Sequence, residues 1–430
     1  MLFSITSIII FALLTLSIIF FPSIIVKNKK IGTYWIISLV GAIILLVIAK
    51  LPLNELANNL TSDSEINPIK ILILFLSMSY LSIVLDELGL FRWAANKAVL
   101  IAKNKQISVF LSMYFLIGIL TIFTSNDIVI LTITPFICMF CKNAKVNPLP
   151  YLIAEFAAAN TYSMMLLIGN PTNIYLSTAQ GITFIEYFKV MAIPTIASGI
   201  VEILLILLIF RKSLRQPFNA SITEAKIENN LEMIVSLIHL LVCIICLVIS
   251  NYINISMWMI ALASSVSLTI CLVIIELFKH NHTLLKSIKR LPYELIPFIL
   301  GMFTIIVCLD HSGIITKVSA IFSGNDKILS YGLLSYLSSN IINNIPMSML
   351  FSKIISLEQS SSIIKATYAS IIGSNIGAFL TPIGALAGIM FTSLTEKYDT
   401  KLDFKTFIKY GLIISVPVLL VSLIALEIIL

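Results

Sequence analysis

Thr124-Ser125-Asn126-Asp127 stands between two apolar runs, Ile107–Phe123 and Ile128–Cys141, and Ser338-Ser339-Asn340 interrupts the second half of the chain in the same way. The polar words that follow also recur in order. Glu155–Asn160 (EFAAAN) is answered by Ala369–Asn375 (ASIIGSN), and Gly169-Asn170-Pro171-Thr172-Asn173 by Thr381-Pro382-Ile383-Gly384. Matched residues lie 214 (Ser125 to Ser339), 215 (Asn160 to Asn375) and 211 (Pro171 to Pro382) positions apart. Upstream, Leu85–Leu90 (LDELGL) lines up with Leu309–Ile314 (LDHSGI) at a spacing of 224, and downstream Phe184…Lys189 parallels Phe404…Lys409. A repeat of half the chain, with polar breaks at matched places in apolar halves, is a sequence pattern of secondary transporters.

Composition sets the solvent. Of the 430 residues 59% are apolar and 11% charged, with a mean hydropathy of +1.04. A soluble domain carries about 25% charged residues, so this chain must use lipid as its solvent. The net charge of +7 needs no nucleic-acid partner; basic cytoplasmic loops account for it. Two C-x2-C pairs, Cys138 with Cys141 and Cys243 with Cys246, lie inside apolar runs. There a spacing of i, i+3 places both on one helix face and reads as helix packing rather than a metal knuckle.

Candidate spans in the first half are Leu2–Phe21, Gly32–Ala49, Ile69–Leu88, a broken segment from Tyr151 and about Phe184–Phe210. In the second they are about Leu231–Ser250, Ile255–Leu277, Leu291–Leu309, a broken segment from Ile363 and Phe404–Leu430. A bilayer needs about 20 apolar residues per helix. Five crossings per half is an odd number, so the second half is inverted relative to the first. With the N-terminus outside, 21 of the 28 Lys and Arg residues fall on cytoplasmic segments, among them Lys27, Lys103, Lys226 and Lys401, which satisfies the positive-inside rule. The first apolar run lacks the basic start and small-residue cleavage site of a removable signal. The expectation is a multi-pass protein of the inner or plasma membrane with both termini outside.

The paired runs around residues 126 and 340 are expected to be re-entrant hairpins. Ile128–Cys141 is 14 residues, about 21 Å of helix against a hydrocarbon core near 30 Å. Backbone can turn at such depth only against protein or a wet cavity. Pro171 and Pro382 break the two segments that follow, with Gly169 and Gly384 beside them. Broken helices expose free carbonyls at one end and free N–H groups at the other, which suit a cation and an anion or oxygen-rich solute respectively. The candidate substrate and ion-binding residues are therefore Ser125, Asn126, Asp127, Asn160, Gly169, Asn170, Thr172, Asn173, Ser339, Asn340, Asn343, Asn344, Asn375, Thr381 and Gly384. For each asparagine singly, capping a helix end is the competing role.

Ionisable residues at membrane depth are functional candidates. Asp127 ranks first for coupling, since Ile341 stands in its place in the second half; its competing role is to cap the second hairpin arm. Glu155 ranks second, read as close to the interface. Asp86 and Glu87 read as a solvated end or a structural ion pair beside Arg92, and the lone His239 as packed.

The words SNDIVILTITP (Ser125–Pro135), LSSNIINNIPMSML (Leu337–Leu350), IGNPTN (Ile168–Asn173) and GSNIGAFLTPIGALA (Gly373–Ala387) resemble the ion-transporter superfamily. Within it they are most similar to the arsenical-pump membrane proteins, permeases for arsenite and antimonite. Ile128-Val129 stands where small residues are common in that branch, and Asn170 where relatives are often acidic. Sodium-coupled dicarboxylate and citrate carriers share the hairpin plan but carry a fuller Ser-Asn-Thr word, where this chain has Asp127 or Ile341 after the asparagine.

The resemblance implies an elevator-type transporter. The resulting expectation is an all-α integral membrane fold of about ten transmembrane helices plus two re-entrant hairpins in two inverted-topology repeats. The first covers 1–215 (hairpin about 107–141, broken helix about 151–180) and the second 228–430 (hairpin about 328–357, broken helix about 363–395), joined by a cytoplasmic linker at 216–227. No HExxH, GxGD or Ser-Lys set supports an enzyme, and no cofactor or metal is expected. The leading functional reading is proton-coupled efflux of arsenite, antimonite or a related inorganic solute. Its alternatives are a sodium- or proton-coupled dicarboxylate or citrate carrier and a sodium/proton antiporter. A second copy of the chain and a cytosolic ATPase stay open as partners beside the lipid bilayer.

Overall fold

The computed structural model describes residues 2–21, 23–26, 29–62, 67–101, 105–216, 227, 229–279, 282–322, 326–400 and 402–430. Lys27, Lys103, Lys226 and Lys401, and most of the linker expected at 216–227, lie outside the described residues. In the first half α1 (Leu2–Phe20) leads through a two-stranded antiparallel ribbon, β1 (Ser23–Val26) paired with β2 (Lys29–Gly32), to α2 (Thr33–Ala49). Then come α3 (Leu53–Thr61), α4 (Pro68–Glu87), α5 (Leu90–Ile101), α6 (Gln106–Phe123), α7 (Asn126–Ala144), α8 (Leu149–Tyr162), α9 (Pro171–Thr178) and α10 (Phe184–Phe210). The second half holds α11 (Asn230–Ile249), α12 (Met257–Lys279), α13 (Thr283–Lys289), α14 (Leu295–His311), α15 (Ile314–Ser319), α16 (Lys327–Ile342), α17 (Asn344–Ile355), α18 (Ser360–Gly377), α19 (Leu386–Lys397) and α20 (Phe404–Ile429).

Helix starts follow from local chemistry. Asn67 accepts from the Ile69 N–H at 2.8 Å just ahead of Pro68, and Asn170 accepts from the Thr172 N–H at 3.1 Å just ahead of Pro171. Proline at the first turn gives up an N–H that had no helical partner. Thr183 and Glu186 form a capping box at the start of α10, two orphan donors satisfied reciprocally.

α10 shows what solvent surrounds the fold. Ile193, Ile196, Ile200, Leu204 and Leu208 form an exposed stripe, while Thr195, Ser198 and Glu202 face inward and are fully buried. A soluble helix puts its polar face outward; this one is turned over, with hydrocarbon on the outside. Among the described residues seven helices are long and apolar enough to cross a membrane, eight if Leu295–His311 and Ile314–Phe322, bent by 82°, count as one. Apart from the short ribbon, the protein is an all-helical, multi-pass membrane protein.

The packing pairs α2 with α14 and α4 with α12, α6 with α8 and α16 with α18, α7 with α19 and α17 with α9, and α10 with α20. Tyr34 of α2 meets Phe298 of α14 edge-on, with ring centroids 5.1 Å apart. α16 and α18 approach through Gly332, Gly373 and Gly377. A Cβ on Gly377 would collide with the Ser339 hydroxyl and the Tyr336 carbonyl, the close small-residue approach that helices in lipid use.

The hairpin arms differ from expectation. α7 has 19 residues and α6 has 18, about 27–28 Å each, because α7 takes in Asn126-Asp127 at its start and Lys142–Ala144 at its end. The short arms expected of both hairpins are found only in the second, where α16 has 16 residues and α17 has 12. Each first-hairpin arm is thus long and apolar enough to cross a membrane, and the turn between them is tied to the break of its own half. Asn126 bonds Asn160, and α8 ends two residues later, at the break halfway along the 149–178 segment.

Candidate functional site

Both helix breaks are built from side-chain amides. At the first, the Asn126 amide donates to Asn160 Oδ1 at 3.1 Å, and Asn160 donates to the Phe156 carbonyl at 2.7 Å. The Ser163 hydroxyl lies 2.7 Å from the Asn160 carbonyl and 2.9 Å from Asn375 Oδ1, Asn170 donates to the same Asn375 oxygen at 2.9 Å, and Asn375 donates to Asn173 Oδ1 at 2.7 Å. Asn173 in turn donates to the Ser163 carbonyl at 2.8 Å. All of these residues are buried. Gly169 is needed here because the Ser163 backbone fills the place of any Cβ.

At the second break, Asn340 donates to the Gly377 carbonyl at 2.9 Å and accepts from the Thr381 hydroxyl at 2.7 Å. Asn343 donates to the Ile383 carbonyl at 3.0 Å, and the Asn344 N–H donates to the Gly384 carbonyl at 3.0 Å. Ser339 donates to the Tyr336 carbonyl at 2.9 Å. Each hairpin tip is thus tied to the broken helix of its own half, and Asn375 joins the two halves.

The asparagines divide between the two roles considered for them. Asn170 and Asn343 cap α9 and α17, Asn343 at a φ of 69°. Asn160, Asn173, Asn340 and Asn375 bridge separate segments. Thr172 is buried with no partner for its hydroxyl.

A cavity of about 840 Å³ reaches the first tip. Its floor is Ser125, Asp127 and Ile128 of the hairpin with Pro382 and Ile383 of the second break. Its wall includes Phe75, Ser79 and Ile83 of α4. Its mouth lies among Phe21, Gly32, Arg290, Pro292, Glu294, Glu396, Leu402 and Phe404, at the adjoining ends of α1, α2, α14, α19 and α20. Ser125 Oγ is buried without a hydrogen-bond partner. Asp127 is half-buried at the second residue of α7, and among the described residues no hydrogen bond or ion pair engages its carboxylate. The capping role considered for Asp127 is therefore not the one it plays: Ser125 holds the cap position, and it is Asn126 Oδ1 that accepts the Asp127 N–H at 2.9 Å.

The mouth carries charges that the sequence reading did not single out. Arg290 donates to Asp86 Oδ2 and to Glu87 Oε1, both at 2.6 Å, so the partner of Asp86 and Glu87 is Arg290, from the other half, rather than Arg92. Burial pulls the Arg290 guanidinium down, but Asp86 and Glu87 outweigh it and hold it above the usual arginine range. Glu294 accepts from the Gly32 N–H and the Tyr34 hydroxyl, both at 3.0 Å, fastening the end of the ribbon and the start of α2 to the base of α14.

Glu155 is fully buried inside the protein rather than at an interface; Thr134 donates to its Oε1 at 2.9 Å, and its Oε2 has no partner. His239 is satisfied by the Val235 carbonyl at 2.8 Å and the Ser267 hydroxyl at 3.1 Å, as a packed residue would be. A buried carboxylate missed in the sequence is Glu202, held by Tyr114 and Thr161. Its signal was a lone acid in the middle of a 27-residue apolar helix. A second, smaller cavity of about 260 Å³ lies among the start of α4 (Lys70, Leu74), the end of α9 (Thr178) and the loop between α11 and α12 (Ser250, Asn254).

The model of the family described as "CitMHS: Citrate transporter" matches residues 24–363. The chain belongs to the citrate transporter family. Relatives of this citrate transporter family member include the arsenical pump membrane protein of Escherichia coli K12, 24% identical over 368 residues that cover 82% of this chain and 84% of the relative. A 46 kDa membrane protein of Mycobacterium leprae is 22% identical over 364 residues, covering 81% and 83%. Among solved structures, the Alcanivorax borkumensis YdaH transporter superposes with a TM-score of 0.60 over 99% of this chain and 97% of that one at 14% identity, a likeness of fold. The protein is a membrane transporter.

Proposed function

We propose that this transporter exports arsenite, antimonite or a related neutral inorganic hydroxide from the cytoplasm in exchange for protons. The observation that carries this reading is the chemistry of the large cavity. At its floor a hydroxyl, Ser125, lies close in the chain to a carboxylate, Asp127, and among the described residues neither has a hydrogen-bond partner. Together they offer a donor and several acceptors to an OH-rich solute. Among the described residues the cationic residue of the lining is Arg290, already neutralised by Asp86 and Glu87. Counting the described lining residues at pH 7, one Arg stands against Asp127, Glu294 and Glu396, a formal charge of −2 (+1 − 3). Such a field repels a multiply charged anion and tolerates a neutral hydroxide or a cation. The names of the arsenical-pump relatives point the same way.

Transport would run by alternating access between two inverted repeats, 1–215 and 228–430, in an elevator-type arrangement of ten spans and two re-entrant hairpins. Support comes from the order of elements, which runs twice with the same succession of long, short and broken helices. It also comes from the reciprocal packing of α2 on α14 and α4 on α12. The smaller cavity is lined by the counterparts of elements lining the larger one: α4 for α14, α9 for α19 and the α11–α12 loop for the α1–α2 connection. With basic segments inside and both termini outside, the large cavity opens to the cytoplasm and the small one is its smaller outward equivalent.

Arsenite sensitivity of a pump-deficient host, with and without this gene, tests the reading; no protection in cells with membrane-inserted protein refutes it. The family match favours a second reading, a citrate- or dicarboxylate-type carrier, which sodium- or proton-dependent uptake of labelled citrate into vesicles would establish.

A further inference from the structure

Glu202 lies on α10, fully buried, and lines neither cavity. Two hydroxyls, those of Tyr114 and Thr161, meet its carboxyl group, and among the described residues no cation does. The Tyr114 hydroxyl is 2.9 Å from Glu202 Oε1 and 3.0 Å from the Gly199 carbonyl oxygen. A tyrosine hydroxyl has one hydrogen to donate, and an ionised carboxylate has none. With Glu202 ionised, that one hydrogen is shared between the two oxygens or leaves one contact without it. With Glu202 carrying a proton on Oε1, both are hydrogen bonds: Glu202 donates to the Tyr114 oxygen and Tyr114 donates to Gly199. Thr161 donates to Oε2 in either case. The other titratable group beside the site is Tyr162 of α8. Among the described residues no charged side chain faces Glu202 from α6, α8, α11 or α20 to balance a negative charge.

We propose that Glu202 is a proton-binding site inside the transporter, occupied in this conformation. Its partners place it where a proton can be felt by the substrate site. Thr161 follows directly on Asn160, which holds Asn126 at the hairpin tip, and Tyr114 stands on the first arm of the same hairpin. Losing the proton turns the single Tyr114 hydrogen away from Gly199 or leaves the carboxylate short of a donor. Either change pulls on α6 and α8, the two helices that position Asn126 and Asp127. In this conformation the site is sealed, so its proton exchanges only when α6, α8 and α10 move apart. The occupancy stands on this hydrogen-bond pattern and on the full burial of a carboxyl group with no counter-charge among the described residues; its use in coupling rests on the proton-exchange reading above.

Infrared spectroscopy of the full-length protein in lipid, from acid to alkaline pH, tests the site without any substrate. The wild type should show a protonated-carboxyl carbonyl band that disappears as pH rises and that Glu202→Gln lacks. Tyr114→Phe should keep the band at a displaced frequency, because one hydrogen bond to the group is gone; this variant decides the matter if Glu202→Gln does not fold. Identical carboxyl regions in the wild type and Glu202→Gln, an unshifted spectrum in Tyr114→Phe, or a Glu202 band that never titrates overturns the proposal. Proton movement accompanying arsenite flux in the same vesicles separates the two readings. Absence of arsenite flux in the wild type refutes the proposed cargo and leaves the infrared result on Glu202 standing.

Discussion

Asn126 at the first hairpin tip and Asn160 near the end of α8 share a hydrogen bond of 3.1 Å, and both are buried. Removing either amide leaves the other without its partner, a loss of about 1–3 kcal/mol for a buried polar group. Asn126→Ala and Asn160→Ala should each lower the thermal stability of the purified protein and its transport. The double variant should lose less than the sum of the two, since the pair is broken once only. Strictly additive losses would show that the two side chains act independently.

Asp127→Asn should insert, fold and purify like the wild type, because no group among the described residues binds the carboxylate that is replaced. If Asp127 carries the coupling charge, the variant's transport should lose its response to an imposed proton gradient. Measured in vesicles across a pH series, an unchanged rate and an unchanged pH profile would remove Asp127 from the coupling scheme.

Arg290→Gln strands Asp86, whose side chain is 7% exposed, together with Glu87. Breaking a buried ion pair by removing one partner costs about 3–5 kcal/mol, but Arg290 is itself 34% exposed. Solvent screening therefore brings the expectation down to about 1–2 kcal/mol. Adding Asp86→Asn and Glu87→Gln should recover most of the loss in a thermal melt. A triple variant no more stable than the single one would argue against the clasp.

Gly377→Ala should push α16 away from α18, since the new methyl meets the Ser339 hydroxyl and the Tyr336 carbonyl. Overpacking of this kind costs about 1–3 kcal/mol. Because Asn340 donates to the Gly377 carbonyl, the second tip should shift with it. Cysteine cross-linking between the tip and the 378–385 segment should weaken in the variant, and undiminished cross-linking would contradict the packing argument.

Much of this architecture is legible in the sequence because lipid leaves few choices. Polar words in an oily chain must be paired or wet, and Asn126, Asn160, Asn340 and Asn375 stand where their spacing says they should. Length was harder to read. Apolar run length underestimates α7, whose ends are the polar residues Asn126-Asp127 and Lys142-Asn143. The ribbon Ser23–Gly32 went unread, since its four-residue strands carry no helical period. Partnership across the halves is not local information at all. Arg92 lies six residues from Asp86 in the chain, yet the ion pair forms with Arg290, 204 residues away. Glu202 was readable as a lone intramembrane acid; its meaning comes only from Tyr114 and Thr161.

Asn375 bears on how the protein is made. Its oxygen accepts from Asn170 and its amide donates to Asn173, so a residue translated late completes a break in helices translated early. Until the ribosome has delivered α18, the Asn170 amide and Asn173 Oδ1 stand buried in lipid without the partner Asn375 gives them, each costly to leave so, while Ser163 still has the Asn160 carbonyl at 2.7 Å. Biogenesis then has a waiting step: residues 1–215 expressed alone should be unstable and degraded, and supplying 216–430 as a separate chain should rescue them. A first half that accumulates undegraded on its own, followed by pulse-chase, would show that it closes its break without help.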